Sequence, residues 1–201
     1  MLKEDLEQRK LFNKKYKITE QAIQKAISFK DIASLCKEDS NLIRDCIKQV
    51  LLTSKLDNNH NEVAIAMTNS MIGTTRGTQH GVDINSNPFV RDIISRKDDF
   101  VVVMHNHPST QSFSLQDYSY FLTYSFINVF GIVSNQGQVE LLIRPFNLND
   151  TEFYIIEDLL SGYIRTYKKY AKRNGNTAEV LYKSAKYMTK HFREYNYYVK
   201  L

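Results

Sequence analysis

Tryptophan is absent from this chain, and proline, glycine and cysteine are scarce: three, seven and two in 201 residues. There is no internal repeat and no low-complexity tract, so solenoids and disordered linkers are excluded. Cys36 and Cys46 lie ten apart with no CxxC partner, which excludes a disulfide scaffold. The simplest reading makes them reduced core thiols of a cytoplasmic protein, with a disulfide between them the secondary option. No apolar stretch approaches the roughly 18 residues of a membrane span, and Met1-Leu2-Lys3-Glu4-Asp5 lacks the apolar core of a secretion signal.

What is present is ordinary in amount and uneven in placement. A hydrophobic content of 42% and a charged content of 24% suit one globular core with helical additions. The net charge is +5, and residues 151–201 carry ten Lys/Arg against five Asp/Glu, so this quarter holds the whole excess. Nine of the thirteen tyrosines lie there too. Basic residues interleaved with aromatics can bind nucleic acid. The plainer reading is a pair of helices with a solvated basic face and tyrosines turned inward.

Taken in order, residues 1 to about 56 read as helical. Ile18, Ala22, Ile23, Ala26 and Ile27 share one helix face; Leu42, Ile43, Cys46, Ile47, Val50 and Leu51 share another. Asp39, Ser40 and Asn41 are candidate caps for the second helix. A polar break, 57–61, precedes Glu62 to Thr68, where period two puts Val63, Ile65 and Met67 on one side. Glu62, Ala64, Ala66 and Thr68 take the other, so the carboxylate sits on a small-residue face with room around it.

Gly73, Gly77 and Gly81 read as a connection, followed by a strand near Val82 to Ile84 and a helix entered at Asn87-Pro88. Phe100 to Met104 is apolar on both faces, the pattern of a covered central strand. A helix from about Leu115, a hairpin with strands 129–133 and 139–143, closure at Pro145, and helices near 149–172 and 177–195 complete the reading.

The covered strand runs into His105-Asn106-His107-Pro108. Residues two apart on a strand face the same way, so both imidazoles can address one point. Asp117 follows His107 by ten residues at the start of the next helix. Two imidazoles and one carboxylate form a familiar ligand set for catalytic zinc, which keeps one position open for water. Ser114-x-x-Asp117 is equally a helix-capping box, and the two roles are compatible.

His105-x-His107-Pro108, five residues, then Ser114-x-x-Asp117, with Glu62 on an upstream strand, resembles the JAMM (JAB/MPN) zinc metalloprotease motif. The wording His-Asn-His-Pro-Ser is closest to the bacterial RadC-like branch. The resemblance covers about residues 60–145, and it departs from many members in having one residue fewer between the proline and the serine. It implies an α/β fold: a curved mixed β-sheet sandwiched by helices, a JAB/MPN, cytidine-deaminase-like core at 58–147. An N-terminal helical extension, 1–57, and C-terminal basic Tyr-rich helices, 148–201, flank it. It also implies that His105, His107 and Asp117 bind one zinc ion per chain. Glu62 would handle the proton of the attacking water, and Ser114 would hydrogen-bond the oxyanion. Glu140 on the later hairpin is the rival for the general base. His60 and His80 are loop residues able to line the cleft, Arg76 is a candidate substrate contact, and His191 has no evident role.

Other chemistries fit worse. A zinc deaminase needs H-x-E with a downstream P-C-x-x-C, and the HExxH helix is absent. Barrel hydrolases require about 200 residues or more for the barrel itself. The expectation is a zinc-dependent hydrolase of amide or isopeptide bonds acting on a peptide or ubiquitin-like tail. The rival is a RadC-like nucleic-acid-associated module whose metal site is structural or vestigial; a third reading is a platform recruiting a protein partner through the helical ends.

Overall fold

Thr19 opens the first described helix, its side-chain oxygen accepting the Ala22 N–H at 3.1 Å, and α1 runs Glu20–Ile27. The computed structural model describes residues 16–109, 111–144, 150–174 and 178–201. Helix α2 (Lys37–Asp57) starts earlier than Asp39–Asn41 would place it. Its cap is Cys36, whose sulfur accepts the Asp39 N–H at 3.4 Å, so Cys36 is exposed and only Cys46 is a core thiol. Both thiols are free. Leu42, Ile43, Cys46, Ile47, Val50 and Leu51 are all buried, as their spacing requires.

Strand β1 (Val63–Met67) is buried along its whole length. The expected connection after it is instead β2 (Ile72–Arg76), paired antiparallel with β1 from Val63↔Arg76 to Met67↔Ile72. Gly73 misleads here because it is a packing glycine inside a strand. A β-carbon there would come within 2.9 Å of Val90 Cγ2 on the helix above. The strand expected at Val82–Ile84 is absent; that stretch leads into one 3₁₀ turn, Ile84–Ser86. Helix α3 (Pro88–Ile94) follows, capped by Asn87.

Strand β3 (Val101–His107) contains both histidines. It leads through α4 (Leu115–Thr123) to the hairpin β4 (Ile127–Ser134) and β5 (Val139–Ile143). Gly137 in that turn has φ 78°, and a β-carbon there would strike the Ala22 carbonyl of α1, so only glycine fits. Helices α5 (Asp150–Asn174) and α6 (Ala178–Glu194) then lead to a strand the pattern did not reveal, β6 (Tyr198–Lys200). Pro145 and residues 175–177 lie outside the described residues.

The sheet is mixed, in the order β2-β1-β3-β4-β5-β6, with only β3 and β4 parallel. Helices cover both faces. Helices α1 and α2 pack on Val63, Ile65, Val102, Met104, Val129 and Leu141. The other four cover Ala64, Ala66, Val103, Phe130, Ile132 and Leu142. The N-terminal helices therefore lie across the sheet from the histidines. No helix among the described residues is long and apolar enough to cross a membrane.

The C-terminal helices are part of this core. Met188 and Phe192 of α6 are fully buried, and the Phe192 ring lies 4.9 Å from that of Tyr118. Phe192→Ala should therefore destabilise the whole chain by about 3–5 kcal/mol, read as a single cooperative shift in chemical denaturation.

Candidate metal centre

Alternation along β3 sends His105 and His107 to the face covered by α3–α6, above Val101 and Val103, while Asn106 turns toward α2. The imidazole centroids are 4.8 Å apart at 68°, and the two Nε2 atoms are 3.0 Å apart. His107 Nδ1 lies 3.0 Å from the Gln111 carbonyl oxygen; donating there makes Nε2 the free lone pair.

Asp117 comes from the first turn of α4 and uses its two oxygens differently. Oδ2 accepts the Ser114 N–H and the Ser114 hydroxyl, both at 2.7 Å, which closes a capping box with the Asp117 N–H on Ser114 Oγ. Oδ1 is left facing His105 Nε2 at 3.3 Å. The capping reading and the ligand reading of Ser114-x-x-Asp117 are thus two halves of one carboxylate. The spacing from Pro108 to Ser114 brings Asp117 to His105.

One ligand atom each from His105, His107 and Asp117 lie within 4.8 Å of one another. Tetrahedral zinc with bonds of about 2.0–2.2 Å spaces its donors about 3.3 Å apart, close to the 3.0 Å and 3.3 Å seen here. The donor chemistry suits zinc, and two of the three spacings match it, while the His107–Asp117 spacing lies within 4.8 Å. One feature fits less well. His105 Nδ1 is buried and has no hydrogen-bond partner among the described residues, whereas a ligating imidazole usually donates from its second nitrogen. Packing orients that ring instead, against Phe130 at 5.4 Å and against His107.

The set opens on a cleft of about 560 Å³ whose wall also includes Glu62, His80, Asn85, Ser114 and Tyr120. Glu62 directly precedes β1 and is nine-tenths buried. In the β1–β3 register Ala64 pairs with His105 at the ladder's end, and Glu62, two residues before Ala64, turns to the same side and joins the histidines in the cleft wall. Burial pushes its carboxyl up to about 7, against the pull of His105. Glu140 is buried as well but is not part of the cleft wall; its oxygens take the Ser112 hydroxyl and the Lys200 ammonium, the latter at 3.4 Å.

Among the remaining candidates, His80 lines the cleft. His60 sits on the far side of the sheet, where its Nδ1 accepts the Ile18 N–H, and His191 bonds Glu194. Arg76 faces Asp57 at 3.6 Å outside the cleft. Sequence reasoning missed Asn85 and Tyr120, whose hydroxyl donates to Asn85 Oδ1 at 2.9 Å. Tyr120 was within reach, since position i+3 from Asp117 shares its helix face.

No family model, curated protein or solved structure matches this chain. The site stands on its geometry.

Without a cation, the charges around His105 favour its protonated form. Burial resists charging His105, but Asp117 and Glu62 outweigh it and hold that imidazole above its ordinary 6.5. Burial and the neighbouring His105 depress His107. Burial also opposes ionising Asp117, yet the two histidines and Ser114 keep it well below the carboxylate range. Zinc must displace the His105 proton, so affinity should fall as pH drops through and below the histidine range. Metal analysis should find one zinc per chain near neutral pH. Asp117→Asn or His107→Ala should weaken binding by at least about 100-fold in chelator competition, more than loss of an outer hydrogen bond costs.

Proposed function

We propose that the chain is a zinc-dependent hydrolase of amide or isopeptide bonds, of the JAMM type, with a JAB/MPN-like, cytidine-deaminase-like core. One observation carries the reading: two imidazoles and a carboxylate converge beside a buried glutamate in the wall of one open cleft. The order of elements supports it, with Glu62 leading β1, His105 and His107 ending β3, and Ser114-x-x-Asp117 opening α4.

His105, His107 and Asp117 would hold the ion, which when bound lowers the pKa of water and polarises a carbonyl. Glu62 supplies the proton traffic. Burial, which raises its carboxyl in the metal-free chain, suits a group that accepts a proton from the attacking water and returns it to the departing amine. Ser114 directs its hydroxyl hydrogen at Asp117, so its first task is to orient that carboxylate; assisting the oxyanion requires the hydroxyl to turn. The substrate is a peptide, or a ubiquitin-like tail joined to a lysine.

Glu62→Gln should leave zinc content unchanged and lower turnover by about 10²–10⁴, the usual contribution of a positioned acid–base group. Cleavage of a peptide and isopeptide panel by both forms, with metal analysis alongside, checks this. Equal activity of the two would remove the base, and with it the mechanism.

A second reading, nucleic-acid association, draws on the outer face of α6, where Tyr182 is 71% and Tyr187 55% exposed. Lys186 lies between them in helical spacing. Ion pairs reduce the charge there, since Lys183 meets Glu179 at 2.7 Å and Lys190 meets Glu194 at 3.6 Å. If this face binds single-stranded DNA, Tyr182→Ala with Lys186→Glu should weaken binding about tenfold or more and flatten its salt dependence.

A further inference from the structure

The residue between the two histidines bonds both neighbours of Glu62. Asn106 is fully buried. The regular β1–β3 ladder runs from Met67↔Val102 to Ala64↔His105, which leaves Glu62 beyond its end. There the Asn106 side chain continues the pairing. Its Oδ1 accepts the Val63 N–H at 2.7 Å, and its Nδ2 reaches the Asn61 carbonyl at 3.2 Å. A primary amide thus presents the acceptor and donor that a neighbouring strand's peptide group would present, to the two residues flanking Glu62. Nδ2 also meets Asn135 Oδ1 at 2.8 Å and Ser54 Oγ at 3.2 Å, which anchors the amide to β4 and α2.

From the opposite edge, Glu62 N–H donates to the Thr78 carbonyl at 3.0 Å, and its own carbonyl accepts the Gly77 N–H at 2.8 Å. The Asn58 side chain donates to that carbonyl too, at 2.8 Å. The backbone of Glu62 is held from both sides, and on the β3 side the holder is one side chain. Asn106 sits on the same strand as two of the proposed ligands, so whatever it fixes is fixed relative to them.

We infer that Asn106 is a positioning residue that sets the place of the Glu62 carboxylate against the His105–His107–Asp117 set by completing the β1–β3 pairing. The inference rests on the proposed hydrolase for its catalytic meaning, but the clamp itself can be tested without turnover. The imidazoles do not need Asn106, because β3 is paired to β4 along its length through His107↔Ser134. Loss of the amide therefore separates base from ligands and leaves the ligands in place.

Two variants test this in the full-length zinc-loaded chain. Asn106→Leu keeps the shape and removes both functions; Asn106→Ala removes both functions and the bulk. Ile47→Ala, a buried residue of α2 on the same side of the sheet, serves as a stability control. The Asn106 variants should bind zinc within about tenfold of the parent, because no ligand loses a partner. Turnover should fall by about 10² with little change in KM, the scale of a misplaced group. In the zinc-free protein, Val63 amide exchange should speed up selectively. The Ile47→Ala control should lower the melting temperature and keep kcat at temperatures below it. Turnover within threefold of the parent, unchanged Val63 exchange, or zinc and turnover lost together would overturn the inference. If the parent cleaves nothing, the hydrolase reading fails, and Val63 exchange still decides whether the clamp exists; if Asn106→Leu does not fold, Asn106→Ala carries the comparison.

Discussion

The antiparallel pairing of β1 with β3 is the constraint on which the candidate site depends. Strands in register repeat their facing every second residue, so one aligned pair, Ala64 with His105, settles which side chains share a surface. A slip of one position would send Glu62 to the α2 side and leave the imidazoles with Val63. The register is hard to slip because both faces of β1 are buried, so every apolar residue would meet the wrong helices.

Charge balance in the pocket is a second, local constraint. Buried ionisable groups are costly unless compensated, and here compensation runs around a ring. Asp117 gives one oxygen to the start of its own helix and the other to His105. His107 gives one nitrogen to a backbone carbonyl and turns the other inward. One carboxylate thus serves both the start of α4 and the facing of His105, so Ser114 cannot shift without uncapping the helix. Glu140 accepts the Ser112 hydroxyl, which is why a second buried glutamate on the same sheet face is spoken for.

Periodicity made much of this architecture legible. Strand β3, helix α4, the β4–β5 hairpin and the α2 stripe all stand where alternation or helical spacing put them, and the convergence of His105, His107 and Asp117 followed from strand facing and a helix start. The failures share a physical cause: residues whose local signal was overridden by something distant. Gly73 looked like punctuation because the helix it makes room for is 15 or more residues further along. Cys36 looked like core because its thiol resembles an apolar group, yet it serves as a cap. Strand β6 has three residues, too few for a pattern, and owes its form to pairing with β5. Asn106 hid between two conspicuous neighbours; its partners are 29 to 52 positions away.

The contrast between the two thiols has a practical side. Cys36 is exposed at the start of α2, and Cys46 is fully enclosed, with burial pushing its thiol up. The Cys36 thiol is raised too, so a thiol-reactive dye or spin probe at mildly alkaline pH will attach at a single address, on the side of the sheet turned away from the cleft. The chain comes with its own reporter handle, which can be labelled without any substitution near the cleft.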